Sequence, residues 1–281
     1  MAKLIDRVTS AASPLLWLDD TRYAERLLAG GKTPWADATE YVAFRRKAAG
    51  LLRPDVCAIP VGTACRAWVA SHPELREAMA AKKRAVVPAR TLLADEALRT
   101  QLLEMVRGLR AAFASQPLVL AFPSPRAWAG EAYRLAFGED AEIEVGGDEA
   151  DSCAVYVAEF LRSFGEVGVD AVLLEEAADA EPSSAEEIAW YQPVINLAAH
   201  YRWDLGLLLS RGNDFSGAAS GVQFVIAPAQ IGGAVAGMVL SEAFWDGQDA
   251  PGLANGAFRF GRVPADAVPE KVLERLASLR S

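Results

Sequence analysis

Two adjacent carboxylates, Glu175 and Glu176, follow directly on the apolar run Ala171-Val172-Leu173-Leu174. A run of this kind reads as a strand buried on both faces that ends where it meets solvent. The pattern recurs near the start of the chain, where Pro14-Leu15-Leu16-Trp17-Leu18 runs into Asp19 and Asp20, with Arg22 and Tyr23 just behind. Further charges close other apolar runs: Arg66 after Val56 to Val61, Arg126 after Leu118 to Phe122, Arg211 after Leu207 to Leu209, Glu242 after Gly237 to Leu240, and Arg259 and Arg262 around Phe260. Carboxylates in this setting can move protons, and guanidinium forks can hold acid groups. The set therefore suits a small anionic, carboxylated molecule. Glu175, Glu176, Asp19 and Asp20 are the catalytic candidates; Arg22, Tyr23, Arg66, Arg126, Arg211, Glu242 and Arg262 are the binding candidates.

Alternation along the Glu175-Glu176 strand sends the two side chains to opposite faces. If Val172 and Leu174 face a helix layer, Glu175 faces inward. Other reactive residue types carry less. His200 sits where a helix should end. Cys57 reads as a small core hydrophobe. Cys65 has Arg66 beside it but no evident base, and Gly232-Gly233 lacks the Lys of a phosphate loop.

The elements that must position these groups alternate. Strands are expected at Pro14 to Asp20, Val56 to Val61, Leu118 to Phe122, Val169 to Leu174, Leu207 to Gly212, Phe224 to Gln230, Gly237 to Glu242 and Phe258 to Pro264. Helical spacing appears over Ala38 to Leu52, Ala64 to Ala70 after a Gly62-Thr63 turn, Thr91 to Phe113, a segment capped by Asp151 or Ser152 that buries Val155, Val157, Phe160 and Phe164, Ala185 to Trp203 with a new segment or kink at Pro193, and Pro269 to Leu279. Eight such repeats describe a single (β/α)8 barrel over residues 1–281, with some late helices reduced to a turn. In that fold the carboxyl ends of the strands carry the site, which is where the charges fall.

Composition narrows the function classes. The chain has 281 residues, 52% hydrophobic, and a net charge of −9. An acidic chain lacks the clustered cations of a nucleic-acid face. Its most basic run, Lys82-Lys83-Arg84, reads as a solvated helix end. No apolar run suits a membrane span, no secretory pattern opens the sequence, and three scattered cysteines do not make a disulfide framework, so a cytoplasmic setting is expected. The expected partners are a small anionic molecule and at most a second copy of the chain in a homodimer, without nucleic acid or membrane.

Three segments resemble the barrel superfamily of uroporphyrinogen decarboxylase and cobalamin-independent methionine synthase. Trp17-Leu18-Asp19-Asp20-Thr21-Arg22-Tyr23 is similar to the decarboxylase's Trp-Met-Arg-Gln-Ala-Gly-Arg-Tyr segment. Gly168 to Glu176 is similar to the methionine synthase strand that ends Asp-Glu-Pro. Phe260-Gly261-Arg262-Val263-Pro264, followed by Val268-Pro269-Glu270-Lys271-Val272, is similar to the decarboxylase's closing motifs. The departures are specific. Only Arg22 and Tyr23 survive from the first motif, Leu18 or Asp19 stands at its catalytic Arg, Ile59-Pro60-Val61 replaces the strand end with the catalytic Asp, and the closing His is lost near Arg262. The superfamily's zinc enzymes use a His-x-Cys pair, and neither His72 nor His200 has a Cys two residues on. The resemblance thus implies a metal-free enzyme acting by decarboxylation or related proton-transfer lyase chemistry, with no cofactor expected. The alternatives are a methyltransferase or demethylase using a folate or corrinoid methyl carrier, and a catalytically silent ligand-binding barrel or subunit.

Overall fold

The computed structural model describes residues 3–177, 185–211, 221–229, 231–232 and 234–280. Helix α1 (Leu4–Ser10) precedes β1 (Leu16–Asp19), α2 (Thr21–Leu28), α3 (Ala38–Leu52), β2 (Cys57–Pro60), α4 (Val61–Ser71), α5 (Pro73–Met79), α6 (Val86–Leu93) and α7 (Glu96–Ala112). Next come β3 (Leu118–Pro123), α8 (Pro125–Phe137), α9 (Gly147–Arg162), β4 (Ala171–Glu175), α10 (Ala185–Ala189) and α11 (Gln192–Tyr201). The chain finishes with β5 (Asp204–Leu208), β6 (Phe224–Ala227), β7 (Val235–Val239), α12 (Glu242–Trp245), β8 (Phe258–Arg262) and α13 (Pro269–Ser278). All strand pairs are parallel, in the order β1-β8-β7-β6-β5-β4-β3-β2. This is a nearly closed (β/α)8 barrel. The remaining seam, between β1 and β2, is bridged by Asp55, which accepts the Leu16 amide on its side chain and donates its own amide to the Leu16 carbonyl, both at 2.8 Å.

Strand alternation divides the core in two. Leu15, Trp17, Val119, Ala121, Ala171, Leu173, Phe224, Ile226, Phe258 and Phe260 fill the barrel interior, with Leu4 and Val8 of α1 plugging its base. Trp17 lies about 6 Å from the rings of Phe224, Phe258 and Phe260. So many rings fit because small residues face them. A Cβ on Gly206 would stand 2.2 Å from the Phe224 ring, and one on Gly237 2.6 Å from Phe258. Outside, Ile59, Leu120, Phe122, Val172 and Leu174 pack under α3 to α11. The helix layer thins late: α12 has four residues, and among the described residues no helix joins β5 to β6 or β6 to β7. No described helix is long and apolar enough to cross a membrane.

Several boundaries differ from those the sequence predicts. The helix expected over Thr91 to Phe113 is two, because Asp95 breaks the chain and accepts the Leu98 amide at 2.7 Å as the cap of α7. Gly62-Thr63 lie inside the first turn of α4 rather than in a turn before it. Helix α9 starts at Gly147, where Glu149 accepts the Gly146 amide, rather than at Asp151 or Ser152; Val155 on it faces solvent. Strand β5 begins earlier than expected, at Asp204, whose carboxylate accepts the Ile5 amide and so ties α1 to the barrel base. Strand β7 stops at Val239, and Ser241 caps α12 through the Phe244 amide, which puts Glu242 in a helix. Pro193 does begin a new segment, in the first turn of α11. Gly212, Gln230 and Gly233, which the sequence reading placed in strand ends and a glycine pair, lie outside the described residues.

At the base, Asp170 accepts both the Leu118 amide and the Arg110 guanidinium at 2.8 Å, in a pair whose members are 10% and 14% exposed. Removing one member of such a pair strands the other charge. Asp170→Ala is therefore expected to lower stability by about 3 kcal/mol in urea unfolding, through a lower midpoint at unchanged slope. A loss below about 0.5 kcal/mol would contradict this role.

Candidate functional site

A cleft of about 610 Å³ opens at the carboxyl ends of β1, β2, β3, β4 and β8. Trp17, Ala121, Leu173 and Phe260 form its apolar floor, which is also the top layer of the barrel interior. Six carboxylates (Asp19, Asp20, Glu25, Glu131, Glu175 and Glu176) and four arginines (Arg22, Arg45, Arg66 and Arg262) line it. With so many charges over an apolar floor, their pairing decides what each can do.

Most of them are committed to one another. Arg45, reaching from α3, donates to Asp20 at 2.8 Å in a buried pair. Arg66 of α4 donates to Glu131 of α8 at 2.6 Å and to the Thr63 hydroxyl at 3.0 Å. Arg262 stands 3.7 Å from Asp19, whose other oxygen accepts the Thr21 hydroxyl at 2.9 Å. Glu25 accepts the Thr33 hydroxyl at 2.6 Å. Glu176 is buried and accepts from the Ser124 hydroxyl at 2.6 Å and the Tyr191 hydroxyl at 3.2 Å. Ser124 itself caps α8, accepting the Ala127 amide at 3.1 Å, so the helix start fixes the hydroxyl that fixes Glu176.

Two cleft charges have no such partner. Among the described residues, Arg22 at the exposed rim and Glu175 within the cleft make no hydrogen bond or ion pair through their side chains. Glu175 lies on the inward side of β4 with Ala171 and Leu173, while Val172 and Leu174 pack outward against the helices. Burial raises its pKa to about 7; Asp19, and more weakly Glu131, push the same way, while Arg262 and Arg66 pull it down. At neutral pH this carboxyl is divided between its acid and its base, as a proton-transfer group should be.

The sequence candidates divide accordingly. Asp19, Asp20, Arg22, Arg66, Glu175, Glu176 and Arg262 all line the cleft. Tyr23 does not: it is 1% exposed and packs behind β1 with Leu16, Leu18 and Leu52, because helix spacing turns it away from its neighbour Arg22. Arg126 is drawn off to the α8–α9 loop, donating to the Val145 carbonyl at 3.3 Å and lying 3.7 Å from Glu187 and over Trp190. Arg211 is exposed beyond β5 and is not among the described residues lining the cleft. Glu242 lines a neighbouring cleft with Asp246, Asp249 and Asp266, and among the described residues the two clefts share Arg262. The cysteines are all buried and burial pushes their thiols up, Cys57 to about 11 and Cys153 to about 12; Cys65 is raised despite Arg66.

Sequence reasoning missed Arg45, Glu131, Ser124 and Tyr191. Arg45 had a signal: it interrupts the apolar face Tyr41, Phe44, Ala48 and Leu52 of α3, where a charge must find a partner. Ser124 had one too, standing before Pro125 at a strand end as helix caps do. Among the described residues no three His, Cys, Asp or Glu side chains cluster as a metal ion would need, so the donor set does not fit the zinc of the superfamily's thiol-activating enzymes.

No family model matches the chain, and no curated protein does. Among solved structures it is similar to a methyltransferase from Methanosarcina mazei, with a TM-score of 0.60 and 12% identity over 100% of this chain and 98% of that one. That likeness is one of fold, and it selects neither the decarboxylase nor the methionine synthase branch of the resemblance.

The raised pKa of Glu175 has a sign in stability. The folded protein holds this proton more tightly than the unfolded chain, where a Glu titrates near 4.3. Stability contributed by the neutral carboxyl is full below about 4.3 and is lost as pH rises through about 7, by an amount on the order of 3 kcal/mol. Glu175→Gln, which stays neutral, is expected to match the wild type near pH 4 and to be the more stable protein at pH 8. Parallel stability curves for the two would refute the shift.

Proposed function

We propose that the chain is an enzyme that moves a proton on a small or medium carboxylated anion, by decarboxylation or a related lyase step. The observation that carries this is the pair left over in the cleft: Arg22 offers a guanidinium to an incoming acid group, and Glu175 offers a proton near neutral pH. In a decarboxylation the bond to the carboxylate carbon breaks, CO2 leaves, and the electron pair remains on the substrate carbon. The Glu175 carboxyl then gives that carbon its proton and is reloaded from solvent. The substrate must delocalise the pair until the proton arrives. The committed charges serve this by staying put: Glu176 is fixed by two hydroxyls, and Arg66 and Arg262 moderate Glu175 from the two walls.

Methyl transfer is the second reading, favoured by the printed name of the solved methyltransferase with this fold. A folate or corrinoid carrier would supply the methyl group there, and Glu175 would adjust the protonation of the acceptor. A silent binding barrel is the third. Mass spectrometry of the protein with a mixture of carboxylated metabolites separates them: loss of CO2 for the first, a methyl shift for the second, thermal stabilisation without turnover for the third.

Once a turnover is found, Glu175→Gln is expected to lower kcat by about a hundredfold or more. Arg22→Ala is expected to raise KM or Kd for the acid by about tenfold, with the fold unchanged. A Glu175→Gln enzyme of wild-type rate would overturn the assignment of this carboxyl as the proton carrier.

A further inference from the structure

Glu175 is partly buried and opens to the cleft, and among the described residues its carboxyl makes no hydrogen bond or ion pair. Arg262 faces it from the other side of the mouth, because β8 and β4 stand four places apart in the eight-stranded order. The Arg262 side chain is 59% exposed. Its guanidinium lies over the Phe260 ring at 6.0 Å with Nε turned to Asp19 at 3.7 Å, and among the described residues neither terminal nitrogen has a hydrogen-bond partner. Asp19 therefore orients the fork without occupying it. The other charges around Glu175 are settled. Glu131 of α8 is paired with Arg66 of α4, Asp20 just after β1 is paired with Arg45 of α3, and Glu176 and Glu25 are held by hydroxyls. Arg22 of α2 stands at the rim. Six carboxylates thus oppose four arginines around the cleft, so that an anion meets a negative excess whenever Glu175 is ionised. Neutral Glu175 lessens that excess and becomes a hydrogen-bond donor.

We propose that neutral Glu175 is itself a binding group: its hydroxyl donates to one oxygen of the ligand's carboxylate while the Arg262 fork holds the other, so that the cleft takes up an organic anion and a proton together. This rests on the carboxylate-binding reading of the cleft, and binding alone reports it, without turnover. The proton comes from solvent and no covalent bond of the ligand changes. Burial and Asp19 set the titration of the free carboxyl at about 7, and an anion in contact with it pushes that value further up. At pH 6 the proton is already in place and the anion meets a complete site. At pH 8 the proton must first be drawn from solvent, and affinity falls by that cost. Neither His72 nor His200, which titrate in the same range, lines the cleft.

Butyrate, a monocarboxylate that stays ionised from pH 6 to pH 8, is the probe. Its Kd by ligand-observed NMR is expected to be about tenfold lower at pH 6 than at pH 8, and a pH-stat at pH 8 is expected to add close to one equivalent of acid per butyrate bound. Glu175→Gln, neutral at either pH and still a donor, is expected to bind with one Kd at both and to take up no proton. Glu175→Leu, neutral but without a donor, is expected to bind about tenfold more weakly than Glu175→Gln, and equal affinity of the two would overturn the hydrogen bond. Arg262→Ala is expected to raise Kd at pH 6 by about tenfold, and an unchanged Kd would overturn the fork. Butyrate bound equally at both pH values by the wild type, with no acid consumed, would overturn the coupled proton and leave the carboxylate reading standing. A pH dependence that survives in Glu175→Gln would overturn Glu175 as its origin. Binding at neither pH would overturn the carboxylate reading itself and this inference with it.

Discussion

The constraint on which the site depends is charge compensation over an apolar floor. Trp17, Leu173 and Phe260 leave little to screen the groups above them, so each carboxylate in the cleft must be paired, hydrogen-bonded or protonated. Asp20, Glu131 and Asp19 are paired with arginines; Glu25 and Glu176 are held by hydroxyls. Glu175 has neither recourse, and a raised pKa is the physical consequence. The reactivity of one group follows from the settlement of all the others.

The barrel supplies that arrangement by separating its acids by height. Those at the base, Asp55, Asp170 and Asp204, accept backbone amides and hold the β1–β2 seam, β3 and α1 in place. Those at the mouth face a cleft and meet arginines delivered from α3, α4 and β8. The interior between the two levels is closed by rings packed against glycines, which seals the floor of the cleft from below. Rigid walls matter here, because a carboxyl whose neighbours could move toward it would be satisfied and its pKa would return to the ordinary range.

Much of this was legible in the chain. Apolar runs, most of them followed by charge, located all eight strands, and period-two alternation put Glu175 on the side of Leu173 and away from Leu174. What alternation cannot show is which charges from different elements meet. Arg126 and Arg66 look alike in sequence, each just beyond a strand; the α8–α9 loop and α10 draw one away, and Glu131 draws the other into the cleft. Tyr23 and Arg22 are neighbours in a motif and part company because a helix turns by about 100° per residue. Strand β5 was placed late because Asp204 looks like a loop residue, whereas it serves as an amide acceptor, and β7, read as starting at Gly237, opens two residues earlier at Val235. The Glu176–Ser124–Tyr191 contact joins three elements and leaves no local pattern to read.

The central claim is that one carboxyl in the mouth keeps its proton to neutral pH. The most direct measurement is an NMR titration of the protein with carbon-13-labelled glutamate side-chain carboxyls. The account predicts one glutamate resonance moving with a midpoint near 7 and missing from Glu175→Gln. If every glutamate has titrated by about pH 5.5, within the ordinary range of the side chain, the account of this site is wrong.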